Sequence, residues 1–332
     1  MAALAACRRP SPFTAARTPS LNVQRLNGGI GDLARTAAPA VLGVGLINFE
    51  SGEHFTLNGD RPFPMQSLFK PPLALAVLSE VEGGRLALAE TFGLRDEQLS
   101  PPWSPIAAAW PARRNYTTDE LLTAAVVDSD NTAADVLMKR IGGPGAVTAW
   151  LQSKAIDEIR IDRYEREIQP DVYGMASFRA GWRGAAAFDA ARDTVPAEQR
   201  RRAMTAYMDD PRDTATPRGM LDLLAKLNAG ELIGARSRQK LIALMSTDHR
   251  GDTRLKAGFP DGVRFAHKTG ASGTDQGLNA ATNDAGILTL ADDRRYGVAV
   301  FLSGSTLDTG GRDSLLARVG GVIGASLGRY RG

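Results

Sequence analysis

Phe63-Pro64-Met65-Gln66-Ser67-Leu68-Phe69-Lys70-Pro71-Pro72 opens the apolar run from which the rest of the 332-residue chain can be read. Leu68, Leu73, Leu75 and Leu78 fit a buried helix from Ser67 to Glu82, stopped by Gly83-Gly84. Pro71 and Pro72 suit that helix only if it begins close to Ser67, where amide donors lack partners anyway. The S-x-x-K spacing then puts the Ser67 hydroxyl and the Lys70 amine on one helix face. A serine hydroxyl becomes a nucleophile when a neighbouring base takes its proton, and a lysine packed among apolar groups gives up its charge more readily. The helix N-terminus also offers amides to a developing oxyanion. The motif alone decides little, because Ser237-Arg238-Gln239-Lys240 repeats it in a charged stretch that reads as a solvated helix face.

Upstream, Val41–Phe49 and Glu53–Leu57 read as a hairpin joined by Glu50-Ser51-Gly52. Downstream, Thr117-Thr118-Asp119-Glu120 is a capping box for a helix through Val127. A further helix spans about Thr132–Arg140, and Pro144 opens the next. Val263–Ala271, Ala285–Leu290 and Tyr296–Leu302 then read as strands, and Arg312–Arg329 as a closing helix. Strands at both ends with helices between them imply a two-domain fold, α/β plus all-α. Its antiparallel sheet is built from both termini and flanked by helices. The expected division is a leader over 1–21, a discontinuous α/β domain of 22–62 plus 257–332, and an inserted helical domain of 63–256.

Two more short motifs join the first. Ser129-Asp130-Asn131 lies between two helices, where a loop can aim a hydroxyl and an amide into a cleft; taken alone it reads better as a turn with Asn131 as helix cap. Lys268-Thr269-Gly270 lies on a strand, with Lys268 and Gly270 on one face and Thr269 on the other. The lysine offers a cation to a carboxylate, and the glycine a close approach for a substrate.

Composition removes other classes. The 40 basic and 37 acidic residues leave a net charge of +3, which gives no basic stripe for nucleic acid. Three histidines, His54, His249 and His267, occur in no metal-ligand spacing, so neither a metal nor a cofactor is expected. The single cysteine, Cys7, excludes an internal disulfide. No apolar run approaches the ~20 residues needed to span a membrane. Leu4-Ala5-Ala6-Cys7 is like the end of a lipoprotein signal, but only three residues precede it. A truncated export precursor with a lipid anchor at Cys7 and an arbitrary Ala-rich leader both fit.

In their order and contexts, Ser67-x-x-Lys70, Ser129-Asp130-Asn131 and Lys268-Thr269-Gly270 form the trio of class A β-lactamases and penicillin-binding proteins. From about Val41 onward the chain resembles the class A serine β-lactamases, most nearly their extended-spectrum cephalosporinase branch. The stretches Phe63–Lys70, Ser129–Asn131 with Asp135, His267–Gly270 and Ala280–Asp284 carry the likeness. The resemblance implies that Ser67 attacks the lactam carbonyl, with its own N–H and that of Ala271 forming the oxyanion hole. Lys70 would shuttle the serine proton and Ser129 would pass one to the departing nitrogen. Asn131 would hold the acylamide, Lys268 and Thr269 the carboxylate, and Trp103 would stand at the cleft mouth.

Arg163-Tyr164-Glu165-Arg166-Glu167-Ile168-Gln169 resembles the family's Ω-loop, which makes Glu165 the deacylating base and Gln169 its helper in placing water. Glu167 is the competing carboxylate. Two departures stand out: Arg166 where the family commonly has proline, and Gln169 where it more often has asparagine. A larger one is an apparent insertion at about 171–210, with a helix opening at Pro196 and a place over the site's mouth. Arg254 has the spacing of a carboxylate-binding arginine, and Thr282 stands where other members place theirs. The implied protein is a monomer, periplasmic or secreted, acting on a small-molecule β-lactam. The rival readings are a penicillin-binding D,D-carboxypeptidase and a non-hydrolytic β-lactam sensor that stays acylated.

Overall fold

The computed structural model describes residues 21–328, except 101, 180, 183 and 248–250. Cys7 lies outside the described residues. The centre of the fold is a five-stranded antiparallel sheet made of β1 (Val41–Asn48), β2 (His54–Leu57), β3 (Arg264–Ala271), β4 (Thr282–Thr289) and β5 (Arg295–Ser303). Its order is β2-β1-β5-β4-β3, so chain from both ends meets at the β1–β5 pair, with Val44 opposite Val300. β4 begins at Thr282, three residues before the stretch read as a strand, because residues 282–284 pair with β3 and β5.

The residue pattern of β1 decides what covers each face. Leu42, Val44 and Leu46 alternate onto one side, packing with α1 (Val23–Ala37) and α11 (Thr309–Ser326) in one apolar cluster. Gly43 and Gly45 occupy the other side. A Cβ on Gly43 would stand 2.5 Å from the Phe63 ring, and one on Gly45 2.9 Å from Leu221, so bare backbone lets α9 (Pro217–Ala229) lie close. Sequence reading passed over α1. Asn22 caps it by accepting from the Arg25 N–H at 3.0 Å, and Leu26, Ile30, Leu33 and Ala37 line its buried face. Three internal glycines, each costing about 1 kcal/mol of helix propensity, hide that pattern.

The second cluster joins the sheet's inner face to the helical block. α2 (Lys70–Glu82) runs through it with every residue from Lys70 to Leu78 buried, preceded by a 3₁₀ turn over Gln66–Phe69. Around it stand α3 (Thr118–Val126), α4 (Asn131–Arg140), α5 (Pro144–Ser153) and α10 (Ala235–Met245). α3 has the expected capping box at Thr117. α4 is capped by Asp130 instead of Asn131, which frees the Asn131 side chain for other work. The second S-x-x-K lies on α10, where Lys240 pairs with Asp119 away from the first.

Between Glu165 and Asp213 come α6 (Glu165–Val172), α7 (Gly184–Asp193) and α8 (Ala197–Met208). The helix expected from Pro196 is α8, with Pro196 as its cap; α7 was not anticipated. Both pack inward through Phe188, Met204 and Tyr207, all buried. Edge-to-face contacts join Tyr173 to Phe188 and Phe188 to Trp182.

Candidate active site

The site begins with the turn that holds Ser67. Gln66, just before it, adopts φ +49°, a left-handed conformation that costs a non-glycine residue energy and marks a constrained position. Asn283 on β4 pins that turn by donating from Nδ2 to the carbonyls of Pro64 (2.9 Å) and Met65 (3.0 Å). Gly270 on β3 presses against it from the side: a Cβ there would lie 2.4 Å from the Met65 oxygen and 3.2 Å from the Ser67 nitrogen. The glycine therefore admits the nucleophile's own backbone to the strand, a different use from the substrate approach that sequence suggested.

Two amides converge on that space. Ser67 sits in the first turn of a 3₁₀ segment, where N–H groups have no intrahelical acceptor. β3 is the outer strand of the sheet, and Ser272 N–H donates inward to the Ala281 carbonyl at 3.0 Å. Alternation along the strand sends the preceding amide, Ala271 N–H, to the free edge facing the cleft.

Lys70 is fully buried and reaches five oxygens. Its Nζ lies 3.0 Å from Ser67 Oγ, 3.3 Å from Ser129 Oγ, 2.6 Å from the Ser129 carbonyl, 2.8 Å from Asn131 Oδ1 and 3.2 Å from Glu165 Oε1. Burial pushes its pKa below the ordinary lysine value, against the charge of Glu165, which favours the cation. Ser129 sits at φ +57° between α3 and α4. Asp130 and Asn131 hold that turn through backbone bonds to Ala124 and Trp103 (both 2.9 Å), while the Asp130 carboxylate accepts from Ile106 N–H and Ala133 N–H (both 2.8 Å).

Glu165 is the first residue of α6 and almost completely buried. Asp135 on α4 fixes the start of that helix: its Oδ1 accepts from Glu165 N–H (2.7 Å) and its Oδ2 from Arg166 N–H (3.1 Å) and Ser100 Oγ (2.7 Å). Proline at 166 would have no amide for the second bond. Burial pushes the Asp135 carboxyl up to about 7. Gln169 Nε2 donates to Glu165 Oε2 at 2.8 Å. Glu167, the competing carboxylate, is exposed and accepts from Tyr164 N–H at 2.9 Å, turned out of the site. At the base of the loop Arg163 Nε meets Asp213 Oδ2 at 2.6 Å across 50 residues of chain. Neither Asp135's clamp nor Asp213's ion pair was read from sequence, although Asp135 stood in the motif flank.

The cleft above Ser67 has a volume of about 660 Å³. Trp103, 54% exposed, stands on one wall with Ser129, Asn131 and Gln169. Thr269, Ala271 and Arg254 also line the cleft. Arg254 donates to Asp313 Oδ1 (2.9 Å) and the Asn283 carbonyl (3.0 Å), so it is held beside Thr269. Lys268 is buried on β3, its Nζ donating to the Thr269 carbonyl at 3.0 Å. The preceding His267 meets Asp284 at 2.7 Å in the interior. Thr282 is buried and bonded to Asn279 Oδ1 at 2.8 Å. Tyr173, Phe188, Asp189 and Arg192, from α7 and the chain before it, complete the rim. The long segment after Gln169 therefore does reach the mouth. It is also strapped to the turn beyond β3, through the Arg200–Asp275 ion pair (3.0 Å) and the Gln276 Nε2 bond to the Ala197 carbonyl (2.7 Å).

A family model described as "Beta-lactamase enzyme family" matches residues 26–326. Over 81% of the chain and 79% of the relative, the sequence is 31% identical to β-lactamase VEB-1 of Pseudomonas aeruginosa. The chain belongs to the class A serine β-lactamases. This β-lactamase is also 30% identical to the extended-spectrum β-lactamase PER-1 of Pseudomonas aeruginosa, over 84% of the chain and 80% of that protein. Among solved structures, a β-lactamase from Chitinophaga pinensis matches with a TM-score of 0.75 at 30% identity, covering 90% of this chain and 98% of that one. The reconstructed last common ancestor of Gram-negative class A enzymes matches with a TM-score of 0.73 at 31% identity, over 90% and 98%. The two-domain fold expected from sequence is the fold of these neighbours, and the enzyme hydrolyses β-lactams as its family does, through an acylated serine.

Proposed function

We propose that Ser67 is the nucleophile of this β-lactamase, with Lys70, Ser129 and Glu165 completing the catalytic set. The observation that carries the assignment is the place of Lys70 Nζ, 3.0 Å from Ser67 Oγ and 3.2 Å from Glu165 Oε1. Ser67 Oγ attacks the lactam carbonyl as its proton passes to Lys70 Nζ. The Ser67 and Ala271 amides receive the oxyanion. When the C–N bond breaks, Ser129 Oγ gives its proton to the ring nitrogen and is reprotonated from Lys70. Glu165 then takes a proton from water, which attacks the ester carbonyl; the proton returns through Lys70 to Ser67 Oγ as the ester C–O bond breaks and the ring-opened acid leaves. Gln169, bonded to the same carboxylate, orients it and the water.

Substrate binding follows the cleft's polarity. Lys268, Thr269 and Arg254 take the substrate carboxylate, with the planar Arg254 fork suited to two oxygens. Asn131 holds the acylamide, Gly270 keeps β3 against the nucleophile, and Trp103 screens the entrance. The family's typical export supports a place outside the cytoplasm. We place the enzyme in the periplasm or outside the cell, acting as a monomer.

Turnover separates this reading from the acylated alternatives. Purified enzyme is expected to hydrolyse a chromogenic cephalosporin many times per active site, and Ser67→Ala to abolish hydrolysis. A single stoichiometric burst would instead indicate a carboxypeptidase-like or sensor protein.

A further inference from the structure

We infer that Tyr207, contributed by α8 in the long segment after Gln169, is a positioning residue for deacylation that acts on Glu165 through Gln66 and Gln169. The inference rests on Glu165 being the deacylating base. The observation is a chain of side chains linking α8 to the carboxylate. Gln66 Nε2 donates to Tyr207 Oη at 2.6 Å, Gln169 Nε2 donates to Gln66 Oε1 at 3.3 Å, and the same Gln169 Nε2 donates to Glu165 Oε2 at 2.8 Å.

The chain has only one polarity. An ionised carboxylate accepts hydrogen bonds and donates none, so Gln169 must turn its NH₂ toward Glu165. Its second N–H finds an acceptor in the carbonyl end of the Gln66 amide, at 3.3 Å. That orientation leaves the Gln66 NH₂ facing α8, where Tyr207 Oη accepts. Were the Gln66 amide reversed, two NH₂ groups would face each other beside the base. Tyr207 Oη thus accepts the last N–H of the relay and anchors the Gln66 amide against α8. Burial pushes the Tyr207 phenol well above its ordinary value, so it stays neutral. The Arg163 guanidinium lies 5.8 Å from its ring, tying it to the base of the loop.

The position of Gln66 makes the device matter. It directly precedes the nucleophile and carries the left-handed backbone noted above, so its side chain links two halves of the mechanism. The segment after Gln169 is accordingly a buttress of the water-activating half of the site as well as a rim. Only the α8 end enters the relay; α7 meets the cleft separately.

The test is a transient-state comparison of wild type, Tyr207→Phe, Gln66→Met and the double variant, using a chromogenic cephalosporin and quenched intact-mass measurement. Tyr207→Phe keeps the ring and removes the acceptor. It is expected to lower the deacylation rate about tenfold, ~1.4 kcal/mol of barrier, and to leave the acylation burst within twofold. Acyl-enzyme should accumulate on Ser67, and kcat and KM should fall together. Gln66→Met should reproduce the deacylation defect, and the double variant should be no slower than the worse single one. Unchanged deacylation in Tyr207→Phe, equal losses in both steps, or additive losses in the double variant would overturn the inference. Glu165→Gln is run beside them: if it too fails to trap an adduct, the base assignment has failed, whereas trapping there with a silent Tyr207→Phe refutes Tyr207 alone.

Discussion

Gly270→Ala is the substitution whose effect follows most directly from the coordinates. The added Cβ would stand 2.4 Å from the Met65 oxygen, 3.0 Å from Leu68 N and 3.2 Å from Ser67 N. Ordinary carbon contacts begin near ~3.5 Å, so β3 and the nucleophile's turn must separate by roughly 1 Å. All three neighbours are backbone, and no rotamer change can relieve the clash. Asn283 holds the turn from the β4 side through two bonds, so the movement falls on the gap between Ser67 and Ala271. That gap sets the spacing of the two oxyanion donors. Misplacing a reacting group by about 1 Å costs around 10²-fold, and losing one oxyanion donor 10²–10³-fold. Overpacking adds a stability loss of about 1–3 kcal/mol. We therefore expect kcat/KM for a chromogenic cephalosporin to fall at least ~100-fold in a protein that still folds, with a lowered Tm. A variant within threefold of wild type would show that the Gly270 contact does not set the oxyanion geometry.

The remaining expectations concern the charges that hold the long loop. The Asp135 carboxyl, raised from 3.8 to about 7 by burial, binds its proton more tightly in the folded protein than in the unfolded chain. Its contribution to stability is therefore full below about pH 4 and lost as pH rises through about 7, so unfolding free energy should drop by about 3 kcal/mol between pH 5 and 8. Asp135→Asn should flatten that slope in urea titrations at the two pH values; an unchanged slope would assign it to another group. Arg200→Met leaves Asp275 without its charge partner at a site where both side chains are mostly buried. A loss of about 3 kcal/mol is expected in thermal or urea unfolding, with much of it restored by adding Asp275→Asn; no recovery would show that the strap is not electrostatic.

Motif residues were legible because each stood on a recognisable local element. Ser67-x-x-Lys70 read as a helix start, Ser129-Asp130-Asn131 as an interhelical turn and Lys268-Thr269-Gly270 as a strand, and the fold places all three around one cleft. Glu165 could be singled out from Glu167 only by likeness, since both precede the same apolar residues; burial of one and exposure of the other separates them physically. The supports were illegible for a different reason. Gln66 and Tyr207 lie 141 positions apart, and Arg163 and Asp213 50 apart, and no periodicity links residues that meet only through tertiary packing. Asp130's capture of the α4 cap was locally readable, because aspartate and asparagine cap helices about equally well. α1 was hidden by its glycines, and α7 by the lack of a marked start in the segment after Gln169.

The central claim is that a serine acylated at position 67 is released by water activated at Glu165. Its most direct test is Glu165→Gln, incubated with a cephalosporin and followed by intact mass and peptide mapping. The variant is expected to acylate stoichiometrically, hold the adduct on Ser67 and lose multiple turnover, because a neutral amide cannot take the water's proton. Normal turnover with no accumulated adduct would contradict the account and move the base to another residue.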